Sequence, residues 1–204
     1  MCGPDVKADL HHYLREARAA LVWKLDGLSE YDVRRPLPRT GTNLLGLVKH
    51  LSGVETLYLG EVFGRPFAER IDWVGPDVPA NTDMWADADQ SRAQLVGLYG
   101  RAGAHADATI AALDLDAVGH VPWWPADGSR PTLHRVLVHL IAETHRHAGH
   151  ADIVRELIDG SVGLRAGPDN FMPAGDDAWW SAYHDLLERT ARRAVRREEV
   201  PARP

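Results

Sequence analysis

Cysteine is almost absent from this sequence of 204 residues, in which Cys2 is the single example. One cysteine excludes an internal disulfide framework, and its place near a terminus, where chains fray, makes it a poor candidate for a nucleophile or a metal ligand. Basic residues are also in the minority: 23 Lys and Arg stand against 29 Asp and Glu, which gives a net charge of −6. Without a basic field, the chain is not expected to bind nucleic acid.

Long apolar runs are missing as well. No stretch approaches the roughly 20 apolar residues that a transmembrane helix needs, and the N-terminus lacks the apolar segment of a signal peptide. The composition, 45% hydrophobic and 25% charged, is that of a soluble globular protein. We therefore predict a cytoplasmic protein that forms one domain over residues 1–204, with a core of about 5–160 and a C-terminal extension of about 161–204.

What the sequence does contain is helical periodicity, with no segment that alternates as a β-strand does. Helices are predicted over about residues 5–28, 42–63, 87–113, 132–160 and 177–197, with a single helical turn at 29–32. The longest irregular stretch, 64–83, is expected to be a crossover loop that covers one end of a bundle. Gly46 and Gly53 interrupt the second helix and are expected to let a neighbouring helix approach. The predicted fold is all-α: a four-helix bundle with an additional C-terminal helix.

The fourth predicted helix organises the rest, because Thr132 and Gly160 are typical start and stop residues around it. Its predicted apolar stripe consists of Val136, Leu137, Leu140, Ile141, Ile153, Val154 and Leu157. The stripe is interrupted on one face by His139, Glu143, His147 and His150. Polar groups that face a bundle core need partners, and a metal ion can satisfy several of them at once.

Glu143 and His147 lie one helical turn apart, and His50 lies on the second helix beside the apolar stripe of that helix. Two ligands from one helix and a third from a facing helix would hold a metal and leave coordination positions open to water or substrate. Spacing of this kind also occurs by chance in many helices. On the residues alone, a hydrogen-bonded histidine cluster therefore remains an alternative to a metal site.

Two runs of sequence resemble a known family. TGTNLLGLVKHLSGVE contains His50, and ETHRHAGHADIVRE contains Glu143 and His147. Together they are similar to the DinB superfamily of metal-binding four-helix bundles, in the actinobacterial branch of mycothiol S-transferases and the N-terminal domain of mycothiol-dependent maleylpyruvate isomerase. The resemblance covers about residues 10–157. Many members carry three histidine ligands. Here the middle one falls on Glu143, which is similar to the His, Glu, His set of the isomerase branch.

The resemblance implies a metal-dependent thiol S-transferase that conjugates mycothiol to an electrophilic small molecule in detoxification. A thiol with a pKa of about 8.5 is mostly protonated at neutral pH, and a divalent metal with an open position would stabilise the thiolate. Zn²⁺ suits two histidines and a glutamate, while Ni²⁺, Mn²⁺ and Fe²⁺ are also possible for these ligand types.

One alternative function is an isomerase of the maleylpyruvate type, although the stretch after Gly160 looks short for the extra domain of that enzyme. Another is a family member that binds a metal or small molecule without turnover.

Further residues are candidates for contacts with the ligands or the substrate, against the plainer interpretations of surface charge and loop packing. These are His150, Glu55, Arg146, Trp123 and Trp124. His139 is a weaker alternative ligand, and His145 is expected to point away from the site. The other helical histidines, His11, His12 and His134, are expected to be exposed. Trp179 and Trp180 are expected to be core residues, and apolar faces on the first and last helices allow a homodimer.

Overall fold

The computed structural model describes residues 5–75, 77–167, 172–173 and 175–198 of the chain. Its helices, in chain order, are α1 (Val6–Val22), α2 (Glu30–Arg34), α3 (Leu44–Tyr58), α4 (Arg92–Ala112), α5 (Leu133–Asp159) and α6 (Asp177–Glu198). Within the described ranges, the backbone forms no β-strand beyond one isolated bridge between Val118 and Thr132. The all-α prediction is confirmed. None of the helices in these ranges combines the length and apolar character that a membrane span requires.

The chain divides into two compact units, Met1–Asn170 and Phe171–Pro204. The first contains α1 to α5, and the second contains α6. In the second unit, Asp176 accepts a hydrogen bond from the backbone of Trp179, and the rings of Trp179, Trp180 and Tyr183 contact one another. That residues 1–204 form one domain stays a prediction.

Four long helices form the bundle of the first unit. α1 packs against α5 and α4, and α3 packs against α4 and α5. The apolar core consists of two clusters. One gathers Leu21 of α1, Leu47 of α3 and Val154 of α5, and the other gathers Leu14 and Leu140 with the end of α3. In α1 and in α5, polar residues lie in sequence between members of the two clusters. The polar residues of α5 belong to the candidate functional site, which is therefore at mid-height of the bundle.

The central helix forms as its flanking residues predict. The Thr132 side chain accepts a hydrogen bond from the backbone of Arg135, and Gly160 ends the helix with a φ of 76°, a conformation that favours glycine. Two members of its predicted apolar stripe, Ile153 and Leu157, are instead 61% and 65% exposed. Val154 and Arg155 of the same turns are buried, so the helix stays packed near its end, and Ile153 and Leu157 lie on its outer face.

Other helix ends differ from the predicted bounds. α1 tightens into a 3₁₀ turn over Trp23–Leu25 before Gly27, and α3 ends at Tyr58, ahead of a second 3₁₀ turn over Glu61–Phe63. α4 begins only after Ser91, which forms a capping box with Gln94. The capping box determines where α4 begins, a few residues later than the apolar pattern predicted.

The predicted crossover loop runs partly along the side of α3, where Val74 and Met84 reach its two interior glycines. A Cβ atom on Gly53 would lie 2.7 Å from a methyl carbon of Val74, and a Cβ atom on Gly46 would lie 1.9 Å from the carbonyl oxygen of Met84. The glycines thus admit a loop, where a helix was expected. This loop forms one wall of the site described next.

Candidate metal centre

His50, Glu143 and His147 meet where α3 packs against α5. Their ligand atoms all lie within 4.8 Å of one another, which meets the geometric requirement for a shared metal ion. Oε1 of Glu143 lies 3.5 Å from Nε2 of His50 and 3.0 Å from Nε2 of His147. The structure therefore brings together the three residues that the sequence singled out.

The donor set fits a divalent metal. Bonds of 2.0–2.1 Å in a tetrahedral arrangement place neighbouring ligand atoms about 3.3 Å apart, close to the two separations from Glu143. Two imidazoles and one carboxylate are borderline ligands that suit Zn²⁺ and also other first-row metals. The side chains of His147, His50 and Glu143 are 11%, 18% and 28% exposed, so the group is shielded and still reaches a pocket.

Asp83 is a functional residue that sequence reasoning missed. Its Oδ2 lies 2.6 Å from Nδ1 of His50. A carboxylate only accepts, so Nδ1 of His50 carries the hydrogen and Nε2 keeps its lone pair toward Glu143. A hydrogen bond of this kind fixes the tautomer and the ring orientation of a ligating histidine.

The close contact between the loop and α3 explains how Asp83 reaches His50. The Met84 backbone lies against Gly46, and Met84 O accepts a hydrogen bond from the side-chain amide of Asn43. Lys49 Nζ, almost fully buried, donates to Trp85 O at 2.8 Å and to Gln90 at 3.0 Å. Asn43, Gly46 and Lys49, all in the run that carries the family resemblance, therefore fasten the loop directly after Asp83. In the sequence, a glycine inside the α3 helix indicated that another segment would approach closely. It did not indicate which segment this would be.

His150 contacts the site through His147. The two Nδ1 atoms lie 3.3 Å apart, and the rings meet edge to face. When Nε2 of His147 keeps its lone pair for a metal, Nδ1 carries the hydrogen and His150 accepts it. His150 thus contacts a candidate ligand, and its role in supporting that ligand stays a prediction. His145, one residue from Arg146, does not belong to the ligand group.

Electrostatics favour the unprotonated forms of His147 and Glu143 at neutral pH. Burial lowers the pKa of His147, and the neighbouring His50 adds to this effect, whereas Glu143 opposes it. Burial works against the charge of Glu143, but His147 and His50 outweigh it and lower the pKa of Glu143. A neutral imidazole and an ionised carboxylate are the forms that bind metal.

A pocket of about 370 Å³ opens beside the ligand group. Its polar lining includes His50, Glu143 and Asp83, and its walls are largely apolar and aromatic, with Val54, Leu57, Val74, Tyr58 and Trp123. A concave, mostly apolar site with a few converging polar groups is the usual form of a small-molecule site. Trp123 is among the residues that line this pocket, and its contact with a substrate stays a prediction.

Trp124 packs deeper, against His139 with ring centroids 5.2 Å apart, and both indoles donate to the Tyr58 hydroxyl. His139 lines the pocket but stands outside the ligand group. Burial lowers the pKa of His139, with Glu143 opposing and Arg135 adding to the effect. Its ring is therefore neutral at physiological pH.

Glu55 lies elsewhere in the bundle, in a second polar cluster. It is fully buried and accepts two hydrogen bonds of 2.6 Å each from Arg18. Glu55 is therefore not a surface charge, and it does not contact the candidate metal ligands. Arg18 also donates to Asp107 of α4, which in turn lies 2.9 Å from His11. His11 is thus a partner of Asp107, although it was expected to be a plain surface residue.

The remaining candidate, Arg146, is exposed on α5, and its side chain forms no hydrogen bond or ion pair with a described residue. The structure does not bring it together with the three ligands. Cys2 lies outside the described residues.

Comparison with known proteins shows the family of the chain. The family model described as mycothiol S-transferase matches residues 9–160, a range that contains His50, Glu143 and His147, as well as Asp83 and the residues that line the pocket. The resemblance seen in the two sequence runs is confirmed by this match. A search of curated proteins finds no match to the chain.

Proposed function

Because the chain belongs to the mycothiol S-transferase family, we propose that it is a metal-dependent enzyme that transfers mycothiol to an electrophilic small molecule. His50, Glu143 and His147 hold the metal, most simply Zn²⁺. The reaction takes place in the adjoining pocket, and the cytoplasm is the proposed location.

The observation that carries the proposal is the convergence of three ligand atoms within 4.8 Å at the edge of a pocket. A closed structural site would use four protein ligands, whereas three leave a position for a further ligand. The pocket provides room for that ligand beside His50 and Glu143. The arrangement is therefore suited to chemistry on a bound molecule.

When bound there, a divalent metal supplies positive charge that lowers the pKa of a thiol. The chain's own residues set the conditions for this. With two neutral imidazoles and the Glu143 carboxylate, one thiolate would balance the charge of a divalent metal. Asp83 holds the His50 ring in one tautomer, and the walls of the pocket are largely apolar. The attacking sulfur belongs to the cosubstrate, so no nucleophile from the protein is required.

The test begins with elemental analysis of protein purified without chelators, followed by a conjugation assay with mycothiol and a reactive electrophile. About one metal ion per chain and a thioether product are expected. His50→Ala should lose both, and the matched His145→Ala, on α5 outside the ligand group, should keep both. Metal-free protein that takes up no Zn²⁺, or loaded protein that forms no thioether, would contradict the proposal.

The fate of the thiol separates the transferase from the isomerase alternative. A transferase consumes one thiol for each product molecule, whereas an isomerase regenerates the thiol. A metal-loaded protein that binds mycothiol and forms no product would support the non-catalytic alternative.

A further inference from the structure

The hydroxyl group of Tyr58 has an unusual hydrogen-bond environment at the pocket wall. Nε1 of Trp123 donates to it at 3.0 Å, and Nε1 of Trp124 donates to it at 2.9 Å. An indole N–H can only donate, so the oxygen of Tyr58 must be the acceptor in both bonds. The two indole donors use both lone pairs of the hydroxyl oxygen. The hydroxyl hydrogen is then the part of the side chain that can still form a hydrogen bond.

That hydrogen has no acceptor among the residues that the structure describes. Tyr58 is only 8% exposed, and it lines the same pocket as His50 and Glu143. A buried hydroxyl hydrogen without an acceptor destabilises the protein. A ligand that offers an oxygen atom in the pocket would relieve this cost.

His139 lines the same pocket beside Tyr58, with ring centroids 4.9 Å apart. Within the described chain, neither of its ring nitrogens has a hydrogen-bond partner, although the ring is held between Tyr58 and Trp124. His139 lies one helical turn before Glu143 on α5. The pocket therefore has two sets of polar side chains: His50 and Glu143, which would hold the metal, and Tyr58 with His139 next to them.

We propose that Tyr58 and His139 bind an oxygen atom of the electrophile, and that this site selects electrophiles with an oxygen on or conjugated to the reacting carbon. Enones and epoxides have this chemistry, whereas simple alkyl halides do not. The inference rests on the proposed function for the identity of the second substrate. It adds the chemical class of that substrate and the residues that recognise it.

The chemistry of addition explains why the oxygen is the atom to bind. When a thiol adds to an enone, the sulfur–carbon bond forms, the π electrons move, and negative charge collects on the carbonyl oxygen. The proton of the thiol ends on the α carbon, so the product contains every atom of both reactants. In epoxide opening, the carbon–oxygen bond breaks, and the proton ends on the new hydroxyl. A donor that already faces the oxygen stabilises the charge as it develops.

Binding can be tested without turnover. Cyclohexanone carries the oxygen and the ring of an enone but is not a thiol acceptor, and the indole N–H signals of Trp123 and Trp124 report on Tyr58 in ¹⁵N-edited NMR spectra. We expect cyclohexanone to shift these two signals in the metal-loaded protein. Tyr58→Phe should weaken the affinity by about tenfold. Tyr99→Phe is the matched control, since Tyr99 is also buried but lies in the groove between α1 and α4.

Turnover provides the second arm, with cyclohexenone, styrene oxide and allyl bromide as electrophiles. Tyr58→Phe should lower kcat/KM for the two oxygen-bearing electrophiles by at least about tenfold, because charge develops on their oxygen, and should change the rate for allyl bromide by less than about twofold. Metal content should be unchanged. Since Tyr58→Phe also removes the acceptor of two indoles, His139→Gln serves as a second variant that leaves the indole hydrogen bonds in place.

An equal fall for all three electrophiles in both variants, or ketone binding that is unchanged in both, would overturn the inference. If the parent protein conjugates none of the electrophiles, the proposed function fails. In that case, cyclohexanone binding that depends on Tyr58 would still support an oxygen-binding site, and its absence would remove that site as well.

Discussion

The carboxylate of Asp83 lies 2.6 Å from Nδ1 of His50, across the imidazole ring from the nitrogen that faces Glu143. A loop residue thereby controls a ligand on α3, although 33 positions of sequence separate the two. Glu143 and His147 need no such help to find each other, because α5 places them one turn apart. His50 is the ligand whose orientation depends on the tertiary fold.

Asp83→Asn should weaken metal binding by about 10–100-fold, because an amide can no longer enforce the hydrogen on Nδ1 of His50. Competition with a chromophoric chelator measures this. Asp89→Asn, at an exposed position of the same loop, should bind as the parent does. Equal affinity in all three proteins would show that the Asp83 contact does not position the ligand.

Loss of either histidine ligand should remove most of the metal, while Glu143→Gln should weaken binding less, because a neutral oxygen ligand remains. Metal content after dialysis, for His50→Ala, His147→Ala and Glu143→Gln, checks the order. Tight binding that survives Glu143→Gln unchanged would place Glu143 outside the coordination sphere.

Metal occupancy should fall with acidification. Protons compete with the metal for the imidazole nitrogens, whose ordinary pKa is about 6.5. Since burial lowers the pKa of His147, its ring stays neutral to a lower pH, and the metal should be retained further into the acid range. We expect constant occupancy above about pH 6 and a decline between roughly pH 6 and 5 in equilibrium dialysis. Occupancy independent of pH across this range would point to carboxylate ligands alone.

Arg18→Met should destabilise the fold strongly, by about 3–5 kcal/mol in chemical denaturation, because it leaves the fully buried Glu55 without its partner. Burial opposes the charge of Arg18, but Glu55 and Asp107 outweigh it and raise the Arg18 pKa, so the guanidinium is charged throughout. Arg101→Met provides the comparison. Arg101 binds Glu69 with the same two-point geometry on the surface, and its loss should cost far less. Similar losses for the two variants would contradict a desolvated pair at Arg18.

Gly46→Ala should lower both stability and metal affinity, because the new Cβ would lie 1.9 Å from the Met84 carbonyl oxygen and force the loop away from α3. Gly100→Ala should act in the opposite direction. A Cβ at that position of α4 meets no atom within 4 Å, and alanine in a helix is favoured over glycine by about 0.5–1 kcal/mol. Thermal melts and a chelator competition on both variants separate the effects. Unchanged metal affinity in Gly46→Ala would mean that Asp83 keeps its place without the contact.

The sequence predicted the helices well, and it placed Glu143 beside His147, because both features depend on local spacing. The period of 3.6 residues decided the all-α fold, and Glu143 and His147 are on one face of α5 by helix geometry alone. Thr132 and Gly160 act within one turn of their own position, so the bounds of α5 were predicted closely. His50 was identified through its match to a family motif, together with its place beside an apolar stripe.

What the sequence could not predict depends on contacts between distant segments. Asp83 lies in a loop with no periodicity, and nothing local distinguishes it from Asp87 or Asp89. Glu55 looked like a surface charge because its partner, Arg18, is on another helix. Tyr58 became a site residue only when the fold placed two indoles, 65 and 66 positions further along the chain, on its hydroxyl.

The loop along α3 is fastened at two points, by the Trp73 indole that donates to Lys49 O and by the Met84 backbone on Gly46. Changes of length or residue type between these anchors can reshape the wall of the pocket without moving Asp83 from His50. Changes in this one segment during evolution could therefore alter which substrates are accepted, while the residues of the metal centre stay the same. An engineer who wants a new specificity would randomise the same segment first.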